Sequence, residues 1–376
     1  MRVLYLTDNP TLGGTIRILQ SWLLLGRRDG SVAGHVVTPP GSHFQQWLAG
    51  HDVPFTSNPF PVPNKRWPWP AAWHGFRLAR WAKRHSIELI HCNEHNIYPF
   101  AALLRRLTGL PLVCHVRYQV SRDYAQWAFD GPARQPDALL WTSRQQQEDC
   151  AEAIKGIVPE DRQYLMPLGV DLDVFGSRGG ERDKTRTSWG FGQGDIVIGE
   201  ACALRPRKRL TEFVDLVATL AKEDPRVRGV LAGDAMPGDE GYRDELLRHI
   251  EQSALGPRFK WLGNLDDVEA FDHAIDLFVS TSEYETFGNS VCEAMACGRP
   301  VVAYRGGSIH EVVGDGGLIV DDGDLPALVA AVRGCVRRAD LRLELGARAR
   351  QRVKDHFSPG ATLKALVRIY ERLAHS

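Results

Sequence analysis

Several familiar signals are missing from this chain. No stretch approaches the ~20 apolar residues of a membrane-crossing helix, so none is expected. Charge of one sign is not in excess either: Lys+Arg and Asp+Glu both number 46 among 376 residues. A whole-protein electrostatic grip on nucleic acid is therefore not expected, although local basic patches remain open. Cysteine is scattered, at 92, 114, 150, 202, 292, 297 and 335. The closest two, Cys292 and Cys297, are separated by four residues, and no second ligand pair has zinc spacing. The odd count and apolar flanks read as reduced core thiols of a cytoplasmic protein. The first strand is not followed by Gly-x-Gly-x-x-Gly, which speaks against a nicotinamide oxidoreductase. The opening MRVLYLTDNP reads as a strand stopped by a turn rather than a signal peptide, so a cytoplasmic location is expected.

What is present is alternation. Apolar runs such as RVLYLT (2–7), IELIHC (87–92), LPLVCHV (110–116) and DALLWTS (137–143) alternate with segments of helical spacing. The pattern restarts after residue 190 with DIVIGEA (195–201), VRGVLAGD (227–234), DLFVST (276–281) and PVVAY (300–304). Continuous apolar strands between amphipathic helices predict parallel sheets covered on both faces. A chain of this length is expected to divide. The fold class is α/β, two doubly wound Rossmann-like domains, over 1–170 and 171–357, with a C-terminal helix from Ser358 and Pro359 that braces the first domain. The Gly-rich, charged stretch 175–194 reads as the hinge region.

The most informative segment is ETFGNSVCEAMACGRPVVA (285–303). Glu285 is expected in the loop beyond the carboxyl end of a strand, where open α/β sheets bind ligands. A helix capped by Asn289 or Ser290 should follow, ending at Gly298, with Glu293 about one turn inside it. The amides near Phe287, Gly288, Asn289 and Ser290 then form a cradle for phosphate. Carboxylates on either side accept hydrogen bonds from sugar hydroxyls. The plain alternative is a solvated loop charge and a helix-dipole partner.

This segment resembles the signature of the retaining glycosyltransferases of GT-B fold, the large family four-like group marked by Glu, seven residues, Glu. Thr286 stands where Gly is common, and GGSIHEVV (306–313) is similar to the family's glycine-rich loop with His310 for Pro. MPLGVDLDVF (166–175) resembles the interdomain stretch, with Leu168 for Asn, and LTDNPTLGGTIR (6–17) the first loop. AGD (232–234) and WLGNL (261–265) look like the third and fourth strands of the C-terminal domain. The resemblance is strongest over 259–323 and weakest over 40–85. It implies a nucleotide-diphosphate sugar donor, UDP being one candidate, held by the second domain and enclosed as the domains close. It also implies a glycan or lipid-linked acceptor, as in bacterial cell-surface polysaccharide synthesis, and no metal or other cofactor. Glu285 would hold hydroxyls of the donor sugar, Glu293 the ribose, and the backbone at Asn264 and Leu265 the base.

A diphosphate leaving group needs positive charge opposite it. ACALRPRKRLTEF (201–213) supplies basic residues between a strand and a helix. Lys208 aligns with the family lysine, but the arginine position falls on Ala203, so Arg205 or Arg207 is the expected second cation. Gly13 and Gly14 would let backbone approach a ligand. His115, at a strand end, resembles the family's crevice histidine and would touch the donor sugar. His91 reads as structural. Neither has the companions of a hydrolytic triad, and no general base is assigned. The segment 64–85 interleaves Trp with Arg, Lys and His. It suits a helix with a solvated basic face, an acceptor-stacking surface or peripheral contact with a membrane. Rival functions are a sugar-nucleotide epimerase of the same fold and a non-catalytic glycan-binding protein without nucleotide affinity.

Overall fold

The computed structural model describes residues 1–9, 14–64, 66, 68–176, 181–265 and 267–374. The chain forms two compact units, Met1–Leu168 with Pro359–Ser376, and Gly169–Ser358.

Unit 1 is built on strands β1 (Arg2–Leu6), β2 (Ala33–Thr38), β3 (Phe55–Ser57), β4 (Leu89–Cys92), β5 (Leu112–Val116), β6 (Ala138–Trp141) and β7 (Gln163–Leu165), in the order β3-β2-β1-β4-β5-β6-β7. The pairings are parallel. Every residue of β4, β5 and β6 is buried, as expected where helices cover both sheet faces. Helix Tyr98–Thr108 stops at Gly109, whose φ of 73° supplies the left-handed residue that ends a helix cheaply. The last helix, Pro359–Ala374, buries Thr362, Leu363, Leu366, Ile369 and Tyr370, one stripe at helical spacing. It packs on helix Gly14–Asp29, where Trp22 Nε1 donates to Thr362 Oγ1 at 3.0 Å.

Unit 2 carries β8 (Ile196–Ala201), β9 (Val227–Ala232), β10 (Phe259–Trp261), β11 (Leu277–Ser280), β12 (Val301–Tyr304) and β13 (Gly317–Val320), in the order β10-β9-β8-β11-β12-β13. All are paired in parallel, so the loops after each strand gather along one edge. The AGD and WLGNL segments end the second and third strands of this unit, not the third and fourth. The chain adds β9 and β10 on one side of β8, then crosses to place β11 on the other. That reversal opens the crevice where doubly wound sheets take ligands.

Residues 177–180 of the stretch expected as a hinge lie outside the described residues, and 181–194 belong to this unit. Helix Arg182–Ser188 lies within it, and Arg186 is 2 % exposed. Arg182 and Arg186 each donate to Asp276, at 2.5 Å, just before β11. Burial would raise the Asp276 carboxyl, but the two guanidiniums overcome it and hold the pKa below its usual value. Sequence composition marked the segment as loop because its anchors are charged rather than apolar.

Candidate functional site

Unit 2 brings Lys208 and Glu285 together across the reversal between β8 and β11. After β8 the chain runs through a short turn, Pro206–Lys208, and enters helix Leu210–Glu223. Lys208 Nζ donates to Glu285 Oε1, with side-chain exposures of 9 % and 15 %. Burial disfavours both charges, yet each outweighs it for the other. The Lys208 pKa stands above its usual value and that of Glu285 below. Such a pair is stable only while both members remain.

The Glu285 main chain is clamped to the loop after β12. Its N–H donates to Gly306 O (3.3 Å), while its carbonyl accepts from Ser308 N (2.9 Å) and Ser308 Oγ (3.0 Å). Gly307 bridges it directly, at φ 59°, and a Cβ there would lie 2.4 Å from Glu285 O. A side chain at 307 would therefore displace the Glu285 backbone.

Helix Asn289–Ala296 follows, but its cap differs from expectation. Gly288, at φ 87°, is the N-cap, and no side chain caps the turn. Asn289 and Ser290 are helical residues, not caps. The reason is steric: a Cβ on residue 288 would lie 2.6 Å from Ile309 Cδ1. The first amides have no acceptor inside the helix and carry the positive end of its dipole. Glu293 is buried one turn in, and Gly298 closes the helix at φ 70°. The ring of Phe287 is buried edge-on against Phe357, 5.4 Å away, so it can offer a ligand only its backbone.

The remaining basic residues differ in their company. Arg205 Nε pairs with Asp239 Oδ2 at 3.1 Å. Arg207 lies close enough to contribute to holding the Glu285 pKa down. Arg209, at φ 48°, enters the helix left-handed and pairs with Asp322 at 2.9 Å. Asn264 is exposed and Leu265 half-buried in the loop after β10, where Gly263 O accepts from Gly233 N at 2.7 Å.

One buried carboxyl here escaped the sequence reading. Glu200, at 1 % exposure near the end of β8, has its Oε2 3.2 Å from Thr281 Oγ1 and its Oε1 3.4 Å from Thr281 N. Burial pushes its pKa up to about 8, against the pull of Lys208. Its signal was the one acid inside the otherwise apolar strand run IVIGEA (196–201).

In unit 1, His115 is wholly buried and stacks on Trp22, ring centroids 6.1 Å apart. Burial, then Arg117 and His91, drive its pKa well down, so the imidazole is neutral. His91 Nδ1 pairs with Tyr370 OH at 2.5 Å. Gly14 opens helix Gly14–Asp29, and Gly13 lies outside the described residues. A polar cluster that the sequence reading missed lies at the carboxyl ends of β1, β4 and β5. Glu94 Oε1 accepts from Thr7 Oγ1 (2.8 Å) and Asn93 Nδ2 (2.6 Å), and Arg117 donates to Asn93 O and Oδ1 at 2.8 and 2.7 Å. Burial raises Glu94 to about 7 and lowers Arg117 to about 10. The motifs LIHCNEHN and CHVRY hold these residues beside His91 and His115.

Among the described residues no group of three or more His, Cys, Asp or Glu is placed to hold a metal ion. Asp171 and Asp173, spaced as in some metal motifs, form a helix cap instead, Asp173 N donating to Asp171 Oδ1 at 2.9 Å.

Residues 181–352 match the family described as Glycosyl transferases group 1, and residues 25–174 match Glycosyltransferase Family 4. A D-inositol 3-phosphate glycosyltransferase of Geodermatophilus obscurus is 31% identical over 221 residues, 57% of this chain and 48% of that protein. The lipopolysaccharide core biosynthesis mannosyltransferase LpsB of Rhizobium meliloti is 27% identical over 197 residues, 51% of this chain and 56% of that protein. The chain thus spans about half the length of these curated relatives. Anabaena Alr3699/HepE, solved with UDP and glucose, superimposes with a TM-score of 0.85 at 23% identity, over 99% of this chain and 100% of that one. WaaG, a glycosyltransferase involved in lipopolysaccharide biosynthesis, does so at 0.71 and 15%, over 98% and 99%. At these identities the likeness shows the fold, the GT-B class of two Rossmann-like units.

Proposed function

Because the chain belongs to the group 1 and family 4 glycosyltransferases, we propose that it moves a hexose-type sugar from a nucleotide-diphosphate donor to a glycan or lipid-linked acceptor, with retention and without a metal. The observation that carries this reading is the Lys208–Glu285 pair, lodged between β8 and β11 beside a helix N-terminus that no side chain caps. An acid that must accept from sugar hydroxyls and a cation that must meet phosphate here neutralise each other. Donor would take both: hydroxyls replace Lys208 on Glu285, and the freed ammonium turns to the diphosphate. The amides of Asn289 and Ser290 add hydrogen bonds where charge builds on the leaving group. Arg207 is the better second cation, since Arg205 already holds Asp239. Glu293 would serve the ribose, and the backbone at Asn264 and Leu265 the base. A donor phosphate oxygen takes the acceptor's proton, so no side-chain base is required.

The test is a thermal-shift screen of UDP-glucose, UDP-N-acetylglucosamine and GDP-mannose, followed by release of nucleoside diphosphate with and without EDTA. Binding that Lys208→Ala abolishes, and turnover that EDTA leaves intact, are expected. Stabilisation by none of the three would refute the reading.

The same proposal includes peripheral contact with an anionic membrane. Helix Trp69–Arg84 has no Asp or Glu, carries Arg77, Arg80, Lys83 and Arg84, and exposes Trp69, Trp73 and Phe76. Aromatic and cationic side chains suit a headgroup layer. Co-sedimentation with anionic liposomes at low salt, weakened in Trp69→Ser/Trp73→Ser, is expected. Equal recovery from neutral and anionic liposomes overturns this part.

A further inference from the structure

Thr281 has one hydroxyl proton and two oxygens in reach. Its Oγ1 lies 2.7 Å from Lys208 O and 3.2 Å from Glu200 Oε2. The shorter contact takes the proton, because a main-chain carbonyl can only accept. An ionised Glu200, at 1 % exposure, would then set a lone pair against the lone pairs of Oγ1. A protonated Glu200 resolves the conflict. Its own O–H donates to Thr281 Oγ1, which donates on to Lys208 O, while Thr281 N supports the other carboxyl oxygen at 3.4 Å. The chain of bonds ends on the backbone of the residue whose ammonium pairs with Glu285.

We propose that Glu200 is a positioning residue that acts as a neutral carboxylic acid, fixing the Lys208 turn without competing for the Lys208 charge. The inference rests on the donor-binding reading above and adds a residue to it. An ionised Glu200 would give Lys208 a second buried carboxylate beside Glu285, and both would have to be left behind when the ammonium turns to phosphate. The groups facing Glu200 are Lys208 and Cys202 from the loop after β8, Glu285 and Thr281 from the loop after β11, and Tyr242 from helix Glu240–Gln252. Burial pushes the Cys202 thiol up and Tyr242 to about 12, while Lys208 is held charged and Glu285 ionised. Near neutral and mildly alkaline pH, Glu200 is the member of this set that titrates, its carboxyl being raised to about 8 by burial.

The experiment measures Kd for the best ligand among UDP-glucose, UDP-N-acetylglucosamine and GDP-mannose from pH 6.5 to 9. The proteins are wild type, Glu200→Gln, Glu200→Met and Lys208→Ala. If only the neutral acid is competent, wild-type affinity falls about tenfold by pH 9, in proportion to the competent fraction. Both neutral variants should stay within about twofold over the same range. Glu200→Met keeps the test available should Glu200→Gln not fold, and Glu200→Asp should restore a pH-dependent limb. An alkaline limb shared by wild type and the neutral variants overturns the role of Glu200 alone, provided Lys208→Ala has lost binding. Undiminished binding by Lys208→Ala, or none by wild type, overturns the donor-binding reading and this inference with it.

Discussion

Replacing Lys208 by Ala removes the partner of a carboxylate that is 15 % exposed. Leaving one member of a buried pair uncompensated costs about 3–5 kcal/mol. Partial exposure of Glu285 points to the lower end, about 3 kcal/mol. For a domain of 150–250 residues each kcal/mol moves Tm by about 2–4 °C, so the transition of unit 2 should fall by roughly 6–12 °C at pH 8. The pH dependence separates this mechanism from simple loss of packing. In wild type the Glu285 pKa is depressed below 4.5. Its contribution to stability is therefore present above pH 4.5 and lost below it. Without Lys208, burial dominates and the pKa rises above 4.5. The variant then carries a penalty at high pH that fades as Glu285 takes up a proton. The difference in Tm between wild type and Lys208→Ala should thus be largest at pH 8 and shrink towards pH 5. Glu285→Gln added to Lys208→Ala should recover much of the loss, since the stranded charge is gone. Thermal denaturation in matched buffers, with donor turnover alongside, tests all of this. The expected fall in turnover at a fixed donor concentration is about a hundredfold or more, as for loss of other groups that stabilise developing charge. A Tm difference independent of pH, or near-normal turnover, refutes the account of the pair.

Gly288→Ala forces a Cβ into a left-handed residue and to 2.6 Å from Ile309 Cδ1; a loss of about 2 kcal/mol in urea unfolding is expected, and a neutral result would mean that the cap is not rigid. Glu94→Gln should alter the slope of stability with pH in unit 1. The folded pKa, raised to about 7, lies above its ordinary 4.5, so wild type loses stability relative to the variant as pH rises between these values, by on the order of 3 kcal/mol; parallel curves across that window would contradict the burial of an ionisable acid there. Deleting residues 359–374 uncovers Leu363, Leu366, Ile369 and Tyr370, apolar groups worth about 1.5–3 kcal/mol each on burial. That rivals a whole domain's stability, so the truncated chain should lose the unit 1 transition, and a retained sharp melt would show that the helix is dispensable.

Much of the architecture was legible from local chemistry. Runs such as LVCHV and ALLW could only be strands covered on both faces, and the alternation with amphipathic helices implied parallel sheets. The last helix could be read from its 3.6-residue stripe because periodicity is a property of neighbours in the chain. So could the individual candidates, Lys208 in its basic turn and Glu285 with Glu293 in one shared motif. The two anchors of helix Arg182–Ser188 could not, because their partner Asp276 is about ninety residues away. Composition alone therefore suggested a hinge.

Tertiary structure decided which charges meet. Lys208 and Glu285 are 77 residues apart in the chain and become partners because β8 and β11 are neighbours in a parallel sheet whose loops share one edge. It also decided that Gly288 rather than Asn289 caps the helix, since Ile309 crowds any side chain at that left-handed position. The upward pKa shifts of Glu200 and Glu94, both caused by burial, belong to the same class. A carboxyl's charge depends on the water and partners removed from around it, and those are set by strands distant in sequence.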